Sequence, residues 1–237
     1  MKNVHLLLAS TSTLYGGKYL DYLEEAILQH FGQNKELIFI PFARPGGLSY
    51  DDYTRHASQR FEALGYTLRG LHTFENKAEA LRQAQGLFTG GGNSFVLLKT
   101  LYDMNLMGVL REVVLGGTPY MGSSAGSNLA GLSIGTTNDM PIVWPSALMA
   151  IGAIPFNINP HYLDPQPQTT HMGETRETRI KEFHVFNEQG VMGLREGSWL
   201  EVKNASIYLM GDLSARWFKR GEEPTELMPG LLNFLKS

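Results

Sequence analysis

The chain has 237 residues, 43% hydrophobic and 18% charged, with a formal net charge of −3 and no cysteine. This composition suits a single packed globular domain over 1–237, and it offers no basic field to draw nucleic acid or an anionic membrane. Disulfides, thiolate metal sites and a cysteine nucleophile are excluded, and no apolar run is long enough to cross a bilayer.

Residues 4–9 form a short apolar run interrupted by His5, which predicts a first buried strand rather than a secretion signal and makes a cytoplasmic location the expectation. A helix is predicted over 19–31, with Leu20, Leu23, Ala26, Ile27 and Phe31 on its apolar face. The run 37–41 reads as a strand and is followed by the turn Arg44-Pro45-Gly46-Gly47. A helix over 53–64, a strand over 66–71 and a helix over 78–84 come next. The strand 86–89 leads into Gly90-Gly91-Gly92-Asn93 and a helix through Leu97, Leu98 and Leu101, and a helix over 107–115 precedes a strand over 119–122. Apolar strands alternating with helices imply an α/β fold, with a doubly wound, largely parallel sheet covered on both faces.

After Gly131 the alternation stops. Residues 132–172 are rich in Pro, Thr, Asn and Gly, with short strands expected at 141–143 and 156–158. A helix over 174–186 and extra short strands at 191–194, 199–202, 206–210 and 217–219 complete the reading.

Gly122-Ser123-Ser124-Ala125-Gly126 matches G-x-S-x-G at the junction of a strand and a helix-capable segment. Such a turn lifts a serine hydroxyl above the carboxyl edge of a sheet and aims the following N–H groups, beginning with Ala125, at a developing oxyanion. An ordinary strand-to-helix connection is the competing account. The triple glycine before Asn93 is not a dinucleotide fingerprint, because Phe95 stands where the third glycine belongs. It fits a phosphate cradle, a second half of the oxyanion hole through Gly91 or Gly92, or a plain turn capped by Asn93.

A serine nucleophile needs a base. Of seven histidines, His5, His30, His56, His72 and His184 lie on predicted elements or their ends, where packing or solvent contact accounts for them. His161 follows Asn159-Pro160 and opens a loop where a catalytic group would be exposed, and His171 is second choice in the same loop. The two could form a metal pair, but no further ligand stands at metal spacing, so no metal or other cofactor is expected. Two acids compete to orient the imidazole. Asp139 is a lone carboxylate in an uncharged polar stretch, and Glu196 follows the strand 191–194 with Gly197 allowing a turn. Arg176, near the start of a charged helix, would suit a substrate carboxylate, although a solvated helix face explains it equally.

Five blocks in order resemble peptidase E, the bacterial aspartyl dipeptidase family related to cyanophycinase. They are Gly90 to Asn93, Ser123 to Ala130, Thr136 to Val143, Asn159-Pro160-His161 and Gly173 to Glu177. The resemblance runs from the first strand to Trp199. It implies a class I glutamine amidotransferase-like fold with Ser in place of Cys, and hydrolysis of dipeptides with an N-terminal aspartate. By position it makes Ser124 the nucleophile, His161 the base and Arg176 the reader of the aspartyl side chain. Asp139 and Glu196 both fall at positions associated with charge relay, so that choice stays open. Ser123 departs from the pattern, since related sequences can carry a bulky aromatic there, and this bears on the shape of the pocket. A lipase-like esterase and a non-catalytic peptide- or sugar-binding module are the rival readings.

Overall fold

Alternate residues of the first strand, β1 (His5–Ala9), enter two different cores: Leu6 and Leu8 pack on one side, Leu7 and Ala9 on the other. That division is the period-two consequence of a strand buried on both faces. The computed structural model describes residues 4–165 and 173–232. After β1 come α1 (Glu24–Phe31), β2 (Glu36–Ile40), α2 (Tyr50–Ala63), β3 (Thr67–Gly70), α3 (Lys77–Gln83) and β4 (Leu87–Thr89). Then follow α4 (Ser94–Asp103), α5 (Met107–Leu115), β5 (Tyr120–Ser123) and the single-turn α6 (Ala125–Asn128). The first five strands pair in parallel in the order β1-β5-β4-β2-β3. Leu23, Ala26, Ile27, Tyr53, Ala57 and Phe61 cover one face, while α3 to α6 cover the other through residues such as Leu81, Leu98, Leu110 and Leu129.

The later elements divide between two sheets. They are β6 (Asn157–Pro160), α7 (Arg176–Phe186), β7 (Val191–Leu194), β8 (Trp199–Lys203), β9 (Ser206–Met210), β10 (Ala215–Phe218), β11 (Thr225–Leu227) and β12 (Gly230–Leu231). Antiparallel β8, β9 and β12 extend the main sheet beyond β1 to eight strands. A second, four-stranded sheet runs β11-β10-β7-β6. The expected short C-terminal strands are therefore present, but they serve different sheets. Tyr162, Ile180, Val191 and Phe218 form a small separate core beneath α7.

Three local expectations shift. The segment 141–143 makes no strand, since Ile142 and Trp144 lie exposed between Pro141 and Pro145, and pairing nearby is limited to a bridge from Ser133 to Met149. The helix expected from residue 19 begins later, because Leu20 sits at φ 55° and a 3-10 turn covers Asp21–Leu23. The helix expected from 53 begins at Tyr50, because Ser49 caps it by accepting the Asp52 N–H at 3.1 Å.

Where β5 meets α6, two backbones nearly touch. A Cβ on Gly126 would overlap Thr89 O at the end of β4, and one on Gly122 would stand 2.5 Å from the Gly126 carbonyl. Because these neighbours are backbone, neither can yield. Gly126→Ala is therefore expected to lower the unfolding free energy by about 3 kcal/mol. Gly108→Ala, in α5 with open space around it, should raise it by about 0.5–1 kcal/mol. Urea melts of both variants check the pair.

Candidate active site

Ser124 joins β5 to α6 at φ 52° and ψ −111°, a conformation that costs a non-glycine residue about 1–3 kcal/mol. The surroundings over-determine it. Its N–H donates to Ala9 O at 3.0 Å, and its carbonyl accepts the Asn128 N–H at 2.9 Å. Ser127 Oγ lies 2.6 Å from Ala9 O and 2.8 Å from Gly122 O, and Tyr120 Oη donates to Gly126 O at 2.8 Å. The turn thus stands at the carboxyl edge of the parallel strands, where open α/β sheets gather their sites.

His161 comes from the second sheet. Its Nε2 is 2.8 Å from Ser124 Oγ, and its Nδ1 is 2.6 Å from Glu196 Oε1. Register explains the second contact. Parallel β6 and β7 pair Pro160 with Leu194 at their last rung, so the residues just beyond, His161 and Arg195-Glu196, leave the sheet side by side. His161 itself has φ 53°, which turns the chain sharply after Pro160. Glu196 is half exposed at its side chain, and Gly197 follows at φ 91°.

Asp139 is engaged elsewhere. Its Oδ2 accepts the Ser94 N–H at 2.7 Å and the Thr137 hydroxyl at 2.9 Å, so its charge sits at the N-terminus of α4. Of the two acids, Glu196 is the one bonded to His161. His171 lies outside the described residues, and with it the metal pair. Among the described residues no three His, Asp or Glu side chains converge as a metal site. His30 packs against His5 and Phe31, His56 against Tyr19, His72 bonds Asp51, and His184 Nε2 meets Gln189 O.

The glycine turn after β4 lies against the serine. A Cβ on Gly91 would come within 3.1 Å of Ser124 Cβ, and Gly92, at φ 142°, has no room for one because Ala43 O is in the way. Tyr53 Oη donates to Gly91 O at 3.0 Å, and Asn93 caps α4 by accepting the N–H groups of Phe95 and Val96. Asn93 Nδ2 also donates to Met140 O at 2.9 Å, tying the Asp139 segment to this turn. Ala125, the first residue of α6, has its N–H at the open helix N-terminus beside Ser124.

Arg176 opens α7, is half-buried, and has no ion pair among the described residues; its buried Nε lacks a partner there. Burial, and then the Arg179 cation, pull its pKa below the ordinary guanidinium value, while the Asp139 and Glu196 carboxylates act in the opposite sense. Tyr162, whose buried hydroxyl is also without a partner among the described residues, has its pKa pushed up to about 12, chiefly by burial.

A strained serine bonded to an imidazole, itself bonded to a carboxylate, is the arrangement of a serine-type acyl-transfer hydrolase. Residues 6–210 match the profile of Peptidase family S51, and the chain belongs to that family of peptidases. It is 44% identical to Peptidase E of Streptomyces coelicolor, covering 96% of this chain and 92% of the relative. It is 43% identical to a Drosophila melanogaster protein named "Probable alpha-aspartyl dipeptidase", covering 95% and 94%. The crystal structure of a peptidase from an acI-B1 Actinobacterium shares the fold at a TM-score of 0.67, with 16% identity over 95% of this chain and 94% of that one. Among the described residues no helix is long and apolar enough to cross a membrane.

Several supporting residues escaped the sequence reading. Asn138 Nδ2 donates to Pro160 O at 2.7 Å, and Asn159 Nδ2 donates to Thr136 O and Asn138 Oδ1 at 2.7 and 2.8 Å. Their clustering in two Asn-bearing blocks was a visible signal, but the pairing between blocks was not. Arg195 forks to Asp164, at 2.8 and 2.6 Å, and to Glu226, at 2.9 and 3.1 Å, fastening the loop after His161 to β7 and β11. Burial raises the Glu226 pKa, but the hydrogen bonds from Arg195 and Ser214 outweigh it, and the net shift is downward. A folded-state pKa below the unfolded value gives stability that is present above the ordinary Glu value and lost as pH falls from there through the lowered folded-state pKa. Arg195→Met should cost about 1–2 kcal/mol at pH 7, a modest figure because Glu226 remains partly exposed and screened. Urea melts at pH 7 and at acid pH should show the gap between parent and variant narrowing as Glu226 protonates.

Proposed function

We propose that this peptidase hydrolyses dipeptides with an N-terminal aspartate through an acyl-enzyme on Ser124. The observation that carries the reading is the continuous chain Ser124 Oγ–His161 Nε2, His161 Nδ1–Glu196 Oε1, with a half-buried Arg176 nearby that has no ion pair among the described residues. The name of the Drosophila relative, "Probable alpha-aspartyl dipeptidase", supports the substrate class.

His161 Nε2 takes the hydroxyl proton as Ser124 Oγ attacks the aspartyl carbonyl, and the imidazolium is held through Nδ1–H by Glu196. The tetrahedral oxyanion is met by the N–H of Ala125 and that of Gly91 or Gly92. The imidazolium then returns the proton to the leaving amine and the C–N bond breaks; a water deprotonated by His161 attacks the ester, and as the acyl C–Oγ bond breaks His161 passes that proton to Ser124 Oγ. Arg176 pairs with the β-carboxylate of the substrate. The lack of an ion pair for it among the described residues supports this role, since a half-buried cation gains most from a carboxylate that arrives with the ligand. Asp139 acts at one remove, holding the N-terminus of α4 and the glycine turn.

Asp-Leu, Glu-Leu, Leu-Leu and N-blocked Asp-Leu assayed side by side should yield rapid cleavage of Asp-Leu alone. Hydrolysis of p-nitrophenyl esters with none of Asp-Leu would instead favour a general esterase. Ser124→Ala should abolish turnover. Glu196→Gln should lower kcat by about 10²–10⁴-fold, and Asp139→Asn by no more than about tenfold. The reverse order would give the orienting role to Asp139. Arg176→Ala should lose about 2–4 kcal/mol of preference for Asp-Leu over Leu-Leu, read from kcat/KM. Equal cleavage of Asp-Leu by parent and variant would remove Arg176 from substrate recognition.

A further inference from the structure

Ser10, the residue after β1, is fully buried. Its hydroxyl donates to Leu194 O at 2.7 Å and accepts the His161 N–H at 2.8 Å, and its own N–H donates to Ser198 O at 3.1 Å. The preceding residue, Ala9, accepts the Ser124 N–H. Two consecutive residues at the end of one strand therefore hold the backbones of both Ser124 and His161, and one of them also grips the end of β7, two residues before Glu196.

We propose that Ser10 is a positioning residue that sets the Ser124–His161 separation by locking His161 in its left-handed backbone conformation; this rests on the functional reading above. A non-glycine residue keeps φ 53° only when its surroundings enforce it. The bond from His161 N–H to Ser10 Oγ is the constraint that reaches across from the main sheet. A hydroxyl is suited to the place because it donates and accepts at once, joining the base loop and the acid-bearing strand through a single atom. Without it, the His161 N–H and the Leu194 carbonyl each lose a buried partner. Leu194 O keeps the Tyr162 N–H at 3.1 Å, but His161 N–H is left with none. The turn then relaxes and the imidazole moves off the Ser124 hydroxyl, while Arg176, on another element, still binds substrate.

The test compares parent and Ser10→Ala, with kcat expressed per site titrated by a serine-directed fluorophosphonate. A second readout is the low-field proton resonance of the His161 Nδ1–H to Glu196 hydrogen bond, assigned by its loss in Glu196→Gln. For Ser10→Ala, kcat per titrated site should fall roughly tenfold to a hundredfold, KM for Asp-Leu should stay within about twofold, and the resonance should shift or broaden. If kcat per titrated site and the resonance are both unchanged, even with a lower unfolding midpoint, Ser10 only packs and the proposal is overturned. Should Ser10→Ala fail to fold, Ser10→Cys keeps the shape while weakening both hydrogen bonds, and the same two readings decide. Failure of the functional reading looks different. The parent itself would then neither label at Ser124 nor cleave Asp-Leu, while the resonance would still report whether Ser10 holds His161.

Discussion

The structure turns on the absence of space between the end of β4 and the first turn of α6. Thr89 O, Gly122 and the Gly126 backbone meet so closely that a side chain on either glycine would collide with main chain. A strand entering a helix through so narrow a gap has no relaxed path, and the residue at the corner, Ser124, takes the left-handed conformation. The strain is sustained by the parallel sheet behind it, buried on both faces, and it leaves the hydroxyl at the rim instead of in the core.

From that corner the chemistry crosses between sheets. The serine belongs to the eight-stranded sheet, whereas His161 and Glu196 leave adjacent strands of the four-stranded one. Glu196 and His161 are matched by strand register, a local property, but the contact of His161 with Ser124 depends on how the two sheets are joined. Besides Ser10, Asn128 Nδ2 donates to Ile158 O at 3.3 Å and the Thr136 hydroxyl to the same carbonyl at 3.2 Å. The seam is thus sewn by side chains donating to backbone carbonyls of β6 and β7, and β6 is an edge strand of its sheet among the described residues, so its free carbonyls need such partners.

Much of this was legible in the sequence, and the boundary of legibility has a physical cause. Apolar strands alternating with helices identified the parallel sheet, and the Gly-Ser-Ser-Ala-Gly turn and the His161 loop stood out because their local chemistry is unusual. The choice between Asp139 and Glu196 could not be read, because each is a plausible loop carboxylate until the pairing of β6 with β7 is known. Ser10 was invisible for a similar reason, since a small polar residue after a strand says nothing until a partner 151 positions away is brought to it. The segment at 141–143 misled because its β-branched composition suggested a strand, whereas a strand also requires a partner edge.

The inner supports of His161 share one trait: Ser10, Thr136, Asn138 and Asn159 are all neutral hydroxyls and amides, and the charged fasteners around Arg195 lie further out. None of these inner groups takes up or releases a proton over the range in which an imidazole titrates. The backbone around the imidazole is therefore held by groups that carry no charge to gain or lose.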